Sequence, residues 1–375
     1  MPALNTTKGP LISVILPYYN PMFKLFIEAI ESLLSQSYKK WECIIINDGS
    51  RVESKNALEE YITSLNDKRF LVLHLDKNSG PSVARNHGIK NAKGEVFTFL
   101  DADDLLFPWL YNETIKNLNK NPECLIFSGP YLYYTRFGGI KNICSFKHAY
   151  DLLEGKETPN ALLEQIKESK HHMFPQLFIR KSAISRIKFD AALSIGEDDD
   201  LRFQIMDNEE LINKTEISTV PGYIYRIYSS PSRLSYRYDL RFGAIEKIKS
   251  KYNLKSSLAT RTITSWEKNV DHWRLTKVLD NYMKNNSVII YLKGAFSVSK
   301  TIKDKLKSIK TLITTLITWR VLLPVFAVDL RYLLFISGKL GNKYSKFKKI
   351  YLEYLQTCSD DETLYYAKKT YNRIF

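Results

Sequence analysis

Short apolar runs near the start of the chain constrain its fold more than any other feature. They occupy residues 11–16, 42–46, 70–75 and 95–100. Amphipathic segments separate them, and this alternation is typical of β–α units stacked on a largely parallel sheet. Proline suits the first position of a helix and glycine its end, so we also predict a helix from Pro81 to just before Gly94. The pattern therefore predicts an α/β fold.

Acidic residues directly follow two of these predicted strands. Asp48 comes after the second strand, and Asp101, Asp103 and Asp104 come after the fourth. In open α/β sheets, ligands bind beyond the carboxyl ends of the strands. Neighbouring carboxylates repel one another unless a cation lies close, and Mg²⁺ or Mn²⁺ prefers oxygen ligands. The acidic run is therefore a candidate metal site, although acidic triplets and Asp-Gly pairs also occur in ordinary turns.

The middle of the chain mixes both kinds of element. We predict strands over residues 124–128 and 219–228, and helices near residues 159–169 and 198–206. This mixture predicts an α/β domain with a mixed sheet edge. The second helix begins within a run of consecutive acids, Glu197 to Asp200. Acids in a first helical turn can simply complement the helix dipole, so this run alone does not establish a site.

Several motifs, in a fixed order, carry a resemblance to family 2 glycosyltransferases. They occupy residues 13–20, 46–50, 78–104, 196–201 and 225–230. The similarity covers about residues 11–235. It implies a GT-A fold, which is a Rossmann-like nucleotide-diphospho-sugar transferase domain with a mixed sheet. It also implies an inverting enzyme that transfers a hexosyl or N-acetylhexosaminyl group from a nucleotide-sugar, expected to be a UDP-sugar.

The resemblance implies metal-binding and catalytic roles as well. Mn²⁺ or Mg²⁺ would be held by Asp103 and Asp101 of a DXD motif. A metal there would act as a Lewis acid that neutralises the leaving diphosphate. Asp198 would be the general base that deprotonates the acceptor hydroxyl, and Asp199 is the alternative one position along.

The nucleotide-sugar site is implied in the same way. It would comprise Pro17, Tyr18, Asp48, Arg85, Asp101 and Asp103. Four further candidates are ranked below these, namely Glu197, Asp199, Asp104 and Arg226. An arginine on a tyrosine-rich strand can equally stack on an aromatic ring, so the role of Arg226 stays open at this point.

Positive charge is concentrated in the C-terminal part of the chain. Residues 1–240 carry 29 Lys and Arg against 30 Asp and Glu, whereas residues 241–375 carry 26 against 10. We therefore predict a catalytic domain over residues 1–235 and a basic, mainly helical extension over residues 236–375. The extension could dock on an anionic membrane leaflet or form a solvated helical tail.

An apolar stretch within the extension, residues 311–336, is interrupted by charged residues and a proline. It lacks the run of about 18 uncharged residues that a spanning helix needs. It could instead lie in the bilayer interface or form a buried helical hairpin. The start of the chain lacks a secretory signal, and Cys43 and Cys124 adjoin apolar runs as reduced, buried thiols do. We expect a cytoplasmic protein, peripheral at the inner face of the cell membrane.

The expected acceptor is a hydroxyl of a surface glycan, such as lipopolysaccharide or capsule, or of a lipid-linked oligosaccharide. Two other functions remain open. A nucleotidyltransferase would need a glycine-rich, basic loop after the first strand, and residues 17–21 contain neither feature. A nucleic-acid-binding protein could act through the basic extension, although no nucleic-acid partner is expected because the predicted catalytic domain carries no excess positive charge.

Overall fold

The computed structural model describes residues 9–137, 140–145, 152, 155–167, 176–227, 238–252, 341–358 and 360–374. The strands in these ranges are β1 (Ile12–Tyr18), β2 (Trp41–Asp48), β3 (Phe70–Leu75), β4 (Val96–Phe99), β5 (Leu105–Leu106), β6 (Ile126–Ser128), β7 (Tyr131–Phe137), β8 (Ile140–Ser145), β9 (Leu177–Arg180), β10 (Thr215–Ile217) and β11 (Tyr223–Ile227). The helices are α1 (Phe23–Leu34), α2 (Val52–Leu65), α3 (Pro81–Asn91), α4 (Leu110–Lys120), α5 (Pro159–Lys167), α6 (Lys181–Ile184), α7 (Glu197–Met206), α8 (Glu209–Asn213), α9 (Tyr238–Lys251), α10 (Gly341–Thr357) and α11 (Asp361–Ile374).

The main sheet has the strand order β10-β6-β9-β4-β1-β2-β3. β1 pairs in parallel with both β2 and β4, and β2 pairs in parallel with β3. β9 runs antiparallel to β4 and β6, so the sheet is mixed. The predicted α/β class with a mixed sheet is confirmed. The four predicted N-terminal strands are confirmed as β1 to β4, and the predicted helix after Pro81 is α3.

Burial explains why the central strands consist of continuous apolar runs. Ile15 of β1 and Ile44 of β2 pair across the sheet, and both are fully buried. Parallel strands covered by helices on both faces have no solvent side, so their apolar residues need not alternate with polar ones. Cys43 is free and buried beside these residues, as is Cys124 further along the chain, and both agree with the prediction of buried thiols.

A smaller sheet has the strand order β5-β11-β7-β8. β11 runs antiparallel to β5 and parallel to β7. Because β5 directly follows the acidic run at residues 101–104, this sheet fixes the far end of that run. The sequence predicts β11, whereas the two-residue strand β5 is too short to produce a recognisable apolar pattern.

The chain divides into two compact units. The first comprises residues 1–135, 141–227 and 341–375, and it contains the main sheet. Its last helix, α11, packs against α1. The second unit comprises residues 136–140 and 228–340, where the structure describes α9. Nothing in the sequence indicates that the last two helices belong to the first unit, and the division at residue 235 stays a prediction.

The described parts of the extension, α9 to α11, are helical as expected. The apolar stretch at residues 311–336 lies outside the described residues, so its two interpretations are not distinguished. Within the ranges that the structure describes, no helix combines the length and the apolar character required to cross a bilayer.

Candidate active site

The predicted site residues gather where β1 lies between β2 and β4. The chain runs from β1 to β2 and β3 on one side of the sheet and then returns to β4 on the other. Such a switch point leaves a crevice beyond the carboxyl ends of the strands, where ligands bind in open α/β sheets. Asp48 is the last residue of β2, and Asp101 lies just after β4.

The end of β1 corrects one expectation. Tyr18 has no exposed surface, packs edge-on against Phe26 and donates a hydrogen bond of 2.9 Å to the Ser54 carbonyl. A side chain with no exposed surface cannot line an open pocket. The next residue, Tyr19, is 50% exposed, because adjacent side chains at a strand end point in opposite directions. Pro17 is partly exposed.

Asp48 is almost fully buried, and its carboxylate accepts hydrogen bonds from two backbone N–H groups. Its Oδ1 accepts a hydrogen bond from the Ser79 N–H at 2.7 Å, and its Oδ2 accepts one from the Gly80 N–H at 2.8 Å. Burial raises the pKa of Asp48, and these two bonds oppose the shift. Asp48 therefore fixes the loop that precedes α3.

Gly49 allows this close approach. Its φ is +64°, and a Cβ there would lie 2.4 Å from the Lys77 carbonyl carbon. Only glycine combines a left-handed backbone with so little space. The Asn-Asp-Gly-Ser run is thus a turn that brings the end of β2 against the loop before α3.

Arg85 joins the two acidic segments of the sequence. We call residues 101–104 the acidic loop and residues 197–200 the acidic turn. From α3, Arg85 donates to Asp101 Oδ1 at 2.8 Å and to Glu197 Oε1 at 2.7 Å. Its side chain is only 9% exposed. One buried guanidinium therefore brings the acidic loop and the acidic turn to the same end of the sheet.

Within the acidic loop, Asp104 differs from its neighbours. It is buried, and it accepts hydrogen bonds from the Tyr223 hydroxyl at 2.7 Å and from the Arg226 N–H at 2.8 Å. Burial, and then the charges of Asp103 and Asp101, raise its pKa well above the ordinary value. Asp104 thus fastens the loop to β11, whereas Asp101 and Asp103 keep partly exposed surfaces.

Arg226 is buried behind the same loop. Its Nε donates to the carbonyl oxygen of Asp103, its Nη2 donates to the Leu25 carbonyl at 2.7 Å, and its Nη1 donates to Glu28 Oε2 at 2.5 Å. It is 3% exposed. The interpretation as a ring-stacking residue is therefore replaced by one in which Arg226 holds the loop backbone against α1.

The acidic turn forms the first turn of α7, and Gly196, which precedes it, adopts a positive φ of 78°. Asp198 is the most exposed of its carboxylates at 51%, against 31% for Asp199. Arg202, one turn further on, bonds to both. Desolvation would raise the pKa of Asp198, but the positive charges of Arg202 and Arg85 outweigh it and lower the pKa.

The other two acids of this turn face the interior. Burial raises the pKa of Glu197 against the opposing charge of Arg85. Asp200 is fully buried, and its Oδ2 accepts a hydrogen bond from Gln204 at 2.8 Å. Asp198 is thus the acid of the turn with the greatest access to solvent and a lowered pKa.

Few of the carboxylates described above are placed to bind a metal ion. Among the residues that the structure describes, no group of three or more His, Cys, Asp or Glu side chains is arranged to hold a metal ion. Mg²⁺-type sites at phosphate substrates, however, commonly use only one or two carboxylates, with the substrate and water supplying the rest. Asp101 and Asp103 match that smaller donor set, while Asp104 is occupied with β11.

Sequence reasoning missed four residues of this region: Tyr19, Glu28, Arg202 and Tyr223. Arg202 could have been found, because it follows Asp198 at the i,i+4 spacing of a helical ion pair. Tyr19 lies within the motif at residues 13–20, next to the predicted residue Tyr18. Glu28 and Tyr223 gave no signal, since their roles depend on contacts between distant segments.

Comparison with known proteins identifies a matching family. The sequence profile described as "Glycosyl transferase family 2" matches residues 13–183. An uncharacterised glycosyltransferase of Rickettsia typhi is 32% identical over 208 residues, which cover 54% of this chain and 60% of the relative. The putative colanic acid biosynthesis glycosyl transferase WcaA of Escherichia coli is 45% identical over 96 residues, covering 26% of this chain and 33% of the relative.

A third relative is the putative teichuronic acid biosynthesis glycosyltransferase TuaG of Bacillus subtilis. It is 42% identical over 100 residues, covering 26% of this chain and 38% of the relative. The chain thus spans less than two thirds of the length of each of these curated relatives. The range that matches the family profile, residues 13–183, includes β2 to β4 and nearly all of β1.

Proposed function

We propose that this chain, whose residues 13–183 match the family 2 glycosyltransferase profile, transfers a sugar from a nucleotide-sugar to a hydroxyl group of a surface glycan or lipid-linked oligosaccharide. One observation carries the proposal. Arg85 contacts Asp101 of the acidic loop and Glu197 of the acidic turn, so the two motifs share one site. The reaction needs one group that receives the leaving diphosphate and another that accepts a proton.

The acidic loop would serve the diphosphate. Asp103 and Asp101 would hold Mn²⁺ or Mg²⁺, which when bound would neutralise the charge that develops on the leaving group. Arg85 lies beside Asp101 and brings a permanent positive charge to the same place. A planar guanidinium suits phosphate oxygens, so Arg85 would help to orient the donor.

The acidic turn would serve the acceptor. Asp198 would take the proton of the attacking hydroxyl as the acceptor oxygen bonds to the anomeric carbon. The bond between that carbon and the diphosphate oxygen breaks, and the electron pair leaves with the nucleotide. A single displacement of this kind inverts the anomeric configuration. The exposed position of Asp198 and its lowered pKa support this role, because the carboxylate is ionised at neutral pH.

The nucleoside would lie at the ends of β1 and β2. Pro17 and the exposed Tyr19 offer apolar and aromatic surface there, and Asp48 fixes the adjoining loop through Ser79 and Gly80. An exposed aromatic ring at this edge can stack on a base. We propose UDP as the nucleotide, on the basis of the family resemblance.

The acceptor class is proposed from two relatives, whose names refer to colanic acid and teichuronic acid biosynthesis. Residues 241–375 carry 26 basic against 10 acidic residues, and a basic segment is attracted to an anionic lipid surface. We propose that the chain associates peripherally with an anionic membrane surface at its cytoplasmic face. Co-sedimentation with phosphatidylglycerol vesicles, but not with phosphatidylcholine vesicles, is the expected result.

A panel of UDP-sugars tests the function directly. Hydrolysis of each donor is measured with Mn²⁺, Mg²⁺ or EDTA for the wild type, Asp103→Ala and Asp198→Ala. We expect activity that EDTA removes, loss of hydrolysis in both variants, and retention of UDP binding in Asp198→Ala alone. Glu123→Ala is the matched control, because that carboxylate is 80% exposed and remote in sequence from both motifs. Equal activity in all four proteins would contradict the assigned roles.

A further inference from the structure

We propose that Glu28 of α1 is a positioning residue for the acidic loop, and that Arg373 of the last helix supports it. The link runs from Arg373 through Glu28 to Arg226, and from Arg226 to the backbone of Asp103. Its consequence for nucleotide binding rests on the proposed function, because that function makes Asp103 a metal ligand. The link itself is defined by contacts within the first unit.

Arg226 is the first step. Its guanidinium donates to the Asp103 carbonyl from one edge, and to Leu25 and Glu28 of α1 from the other. The guanidinium is planar, so the two edges cannot turn independently. The contact with Glu28 at 2.5 Å therefore sets the direction from which Arg226 meets the loop.

Glu28 is the second step. Its side chain is 15% exposed, and its two oxygens face different arginines. Oε2 accepts from Arg226, while Oε1 lies 3.8 Å from Nε of Arg373. A mostly buried carboxylate between two guanidinium groups is restrained from both sides.

The last helix is held in place by further contacts of its own. Arg373 also pairs with Glu31, one turn along α1, and Lys369 donates to Glu31 Oε1 at 2.8 Å. The Tyr134 hydroxyl donates to the Arg373 carbonyl at 3.0 Å. Arg373 is therefore a fixed support for Glu28 rather than a mobile surface side chain.

A second contact joins the C-terminal helices to the chain that follows the acidic loop. Tyr351 of α10 packs against Trp109 and Phe107, with ring centroids 5.3 Å and 5.8 Å apart. Phe107 and Tyr351 are fully buried. The acidic loop thus has the ionic link on one side and an aromatic cluster after its end. The C-terminal helices contribute Arg373 to the first and Tyr351 to the second.

The test compares Glu28→Gln with Glu31→Gln. Both residues lie on α1 and both pair with Arg373, but Glu28 alone of the two contacts Arg226 among the described residues. The Mn²⁺ concentration for half-maximal UDP binding is measured by calorimetry. Loss of a partner that orients a metal ligand weakens metal affinity by about tenfold or more. We expect that increase in Glu28→Gln, and a value within about twofold of wild type in Glu31→Gln.

Hydrogen exchange of residues 100–106, without nucleotide, supplies a second readout. We expect faster exchange in Glu28→Gln than in Glu31→Gln, and faster exchange in Arg373→Gln than in Lys369→Gln, because Lys369 pairs with Glu31 rather than Glu28. If Glu28→Gln does not fold, the comparison of exchange in Arg373→Gln and Lys369→Gln tests the proposal. Equal Mn²⁺ requirements and equal exchange within both pairs would overturn the proposal. A wild type that binds no UDP would overturn the proposed function, and exchange would still decide the positioning role.

Discussion

The acidic loop and the acidic turn contain similar residues but balance their charge differently. In the turn, Glu197 pairs with Arg85, and Asp198 and Asp199 pair with Arg202. In the loop, Asp101 shares Arg85 with the turn, whereas the buried Asp104 relies on a tyrosine hydroxyl and a backbone N–H. The turn is therefore compensated by arginine side chains, and the loop depends largely on neutral donors.

The pKa shifts follow this difference. Arginine charges lower the pKa of Asp198, while burial and neighbouring carboxylates raise the pKa of Asp104. An acid with a lowered pKa is ionised without further help, as a general base must be. A loop of crowded carboxylates gains more from an added cation. The contrast supports the proposal of a base in the turn and a metal in the loop, and each role can be tested separately.

The largest expected effect is that of Asp198→Asn. Removing a general base slows proton transfer by about 10²- to 10⁴-fold. We expect that loss in the rate of UDP-sugar hydrolysis under saturating donor, with UDP affinity nearly unchanged, because the amide keeps the size of the side chain. Asp199→Asn is the control, and its loss should be much smaller. A larger loss of rate in Asp199→Asn than in Asp198→Asn would indicate that Asp199 is the general base.

Asp103→Asn should act on the metal instead. We expect the Mn²⁺ concentration for half-maximal UDP binding to rise by at least about tenfold, because an amide oxygen carries no net charge for a hard cation. Calorimetric titration at fixed UDP measures it. Asp76→Asn, at an exposed residue after β3, should leave the value unchanged. An unchanged Mn²⁺ requirement in Asp103→Asn would break the assignment of the metal to the loop.

Tyr223→Phe tests how the loop is held. The variant removes the hydroxyl that donates to buried Asp104 at 2.7 Å and leaves the ring in place. A buried acceptor that loses its hydrogen-bond partner costs about 2 kcal/mol, so the free energy of unfolding should fall by that amount in urea denaturation. Tyr19→Phe, at a ring that is 50% exposed, should change it by less than about 0.5 kcal/mol. Equal stability of both variants would show that Asp104 is held by other contacts.

The sequence predicts the strands and helices around the acidic loop and the acidic turn better than it predicts the residues that contact them. The apolar runs locate β1 to β4, and the acids at their ends locate the crevice, because local patterns determine both. Tyr18 is misassigned, since the choice between adjacent side chains depends on a strand end that a sequence pattern does not resolve. The partners of Asp104 and Arg226 come from segments more than 100 residues away, and no spacing rule predicts them.

Arg202→Met should have the smallest effect on rate and the clearest effect on its pH dependence. Arg202 lowers the pKa of Asp198 below its ordinary value of 3.8, so removing it raises that pKa. The acid limb of the pH–rate profile, where the base becomes protonated, should therefore move to higher pH. Well above that limb the base is ionised in both proteins, and the rates should differ by less than about tenfold. UDP-sugar hydrolysis measured from about pH 2 to pH 8, so that the scan covers pH values below the ordinary pKa of Asp198, gives both quantities.

The pH dependence of folding stability should change for the same reason. A carboxylate whose pKa is lowered by folding contributes stability that is present above its unfolded pKa and is lost as the pH falls through the folded value. Arg202→Met removes the cause of that shift, so the variant should lose less stability than wild type on acidification, even if it is less stable at pH 7. Glu210 pairs with Arg186 away from the site, and Arg186→Met should leave the acid limb of the rate profile in place. An acid limb at the same pH in Arg202→Met and wild type would mean that Asp198 does not determine it. The proposal of a general base in the acidic turn would then be contradicted.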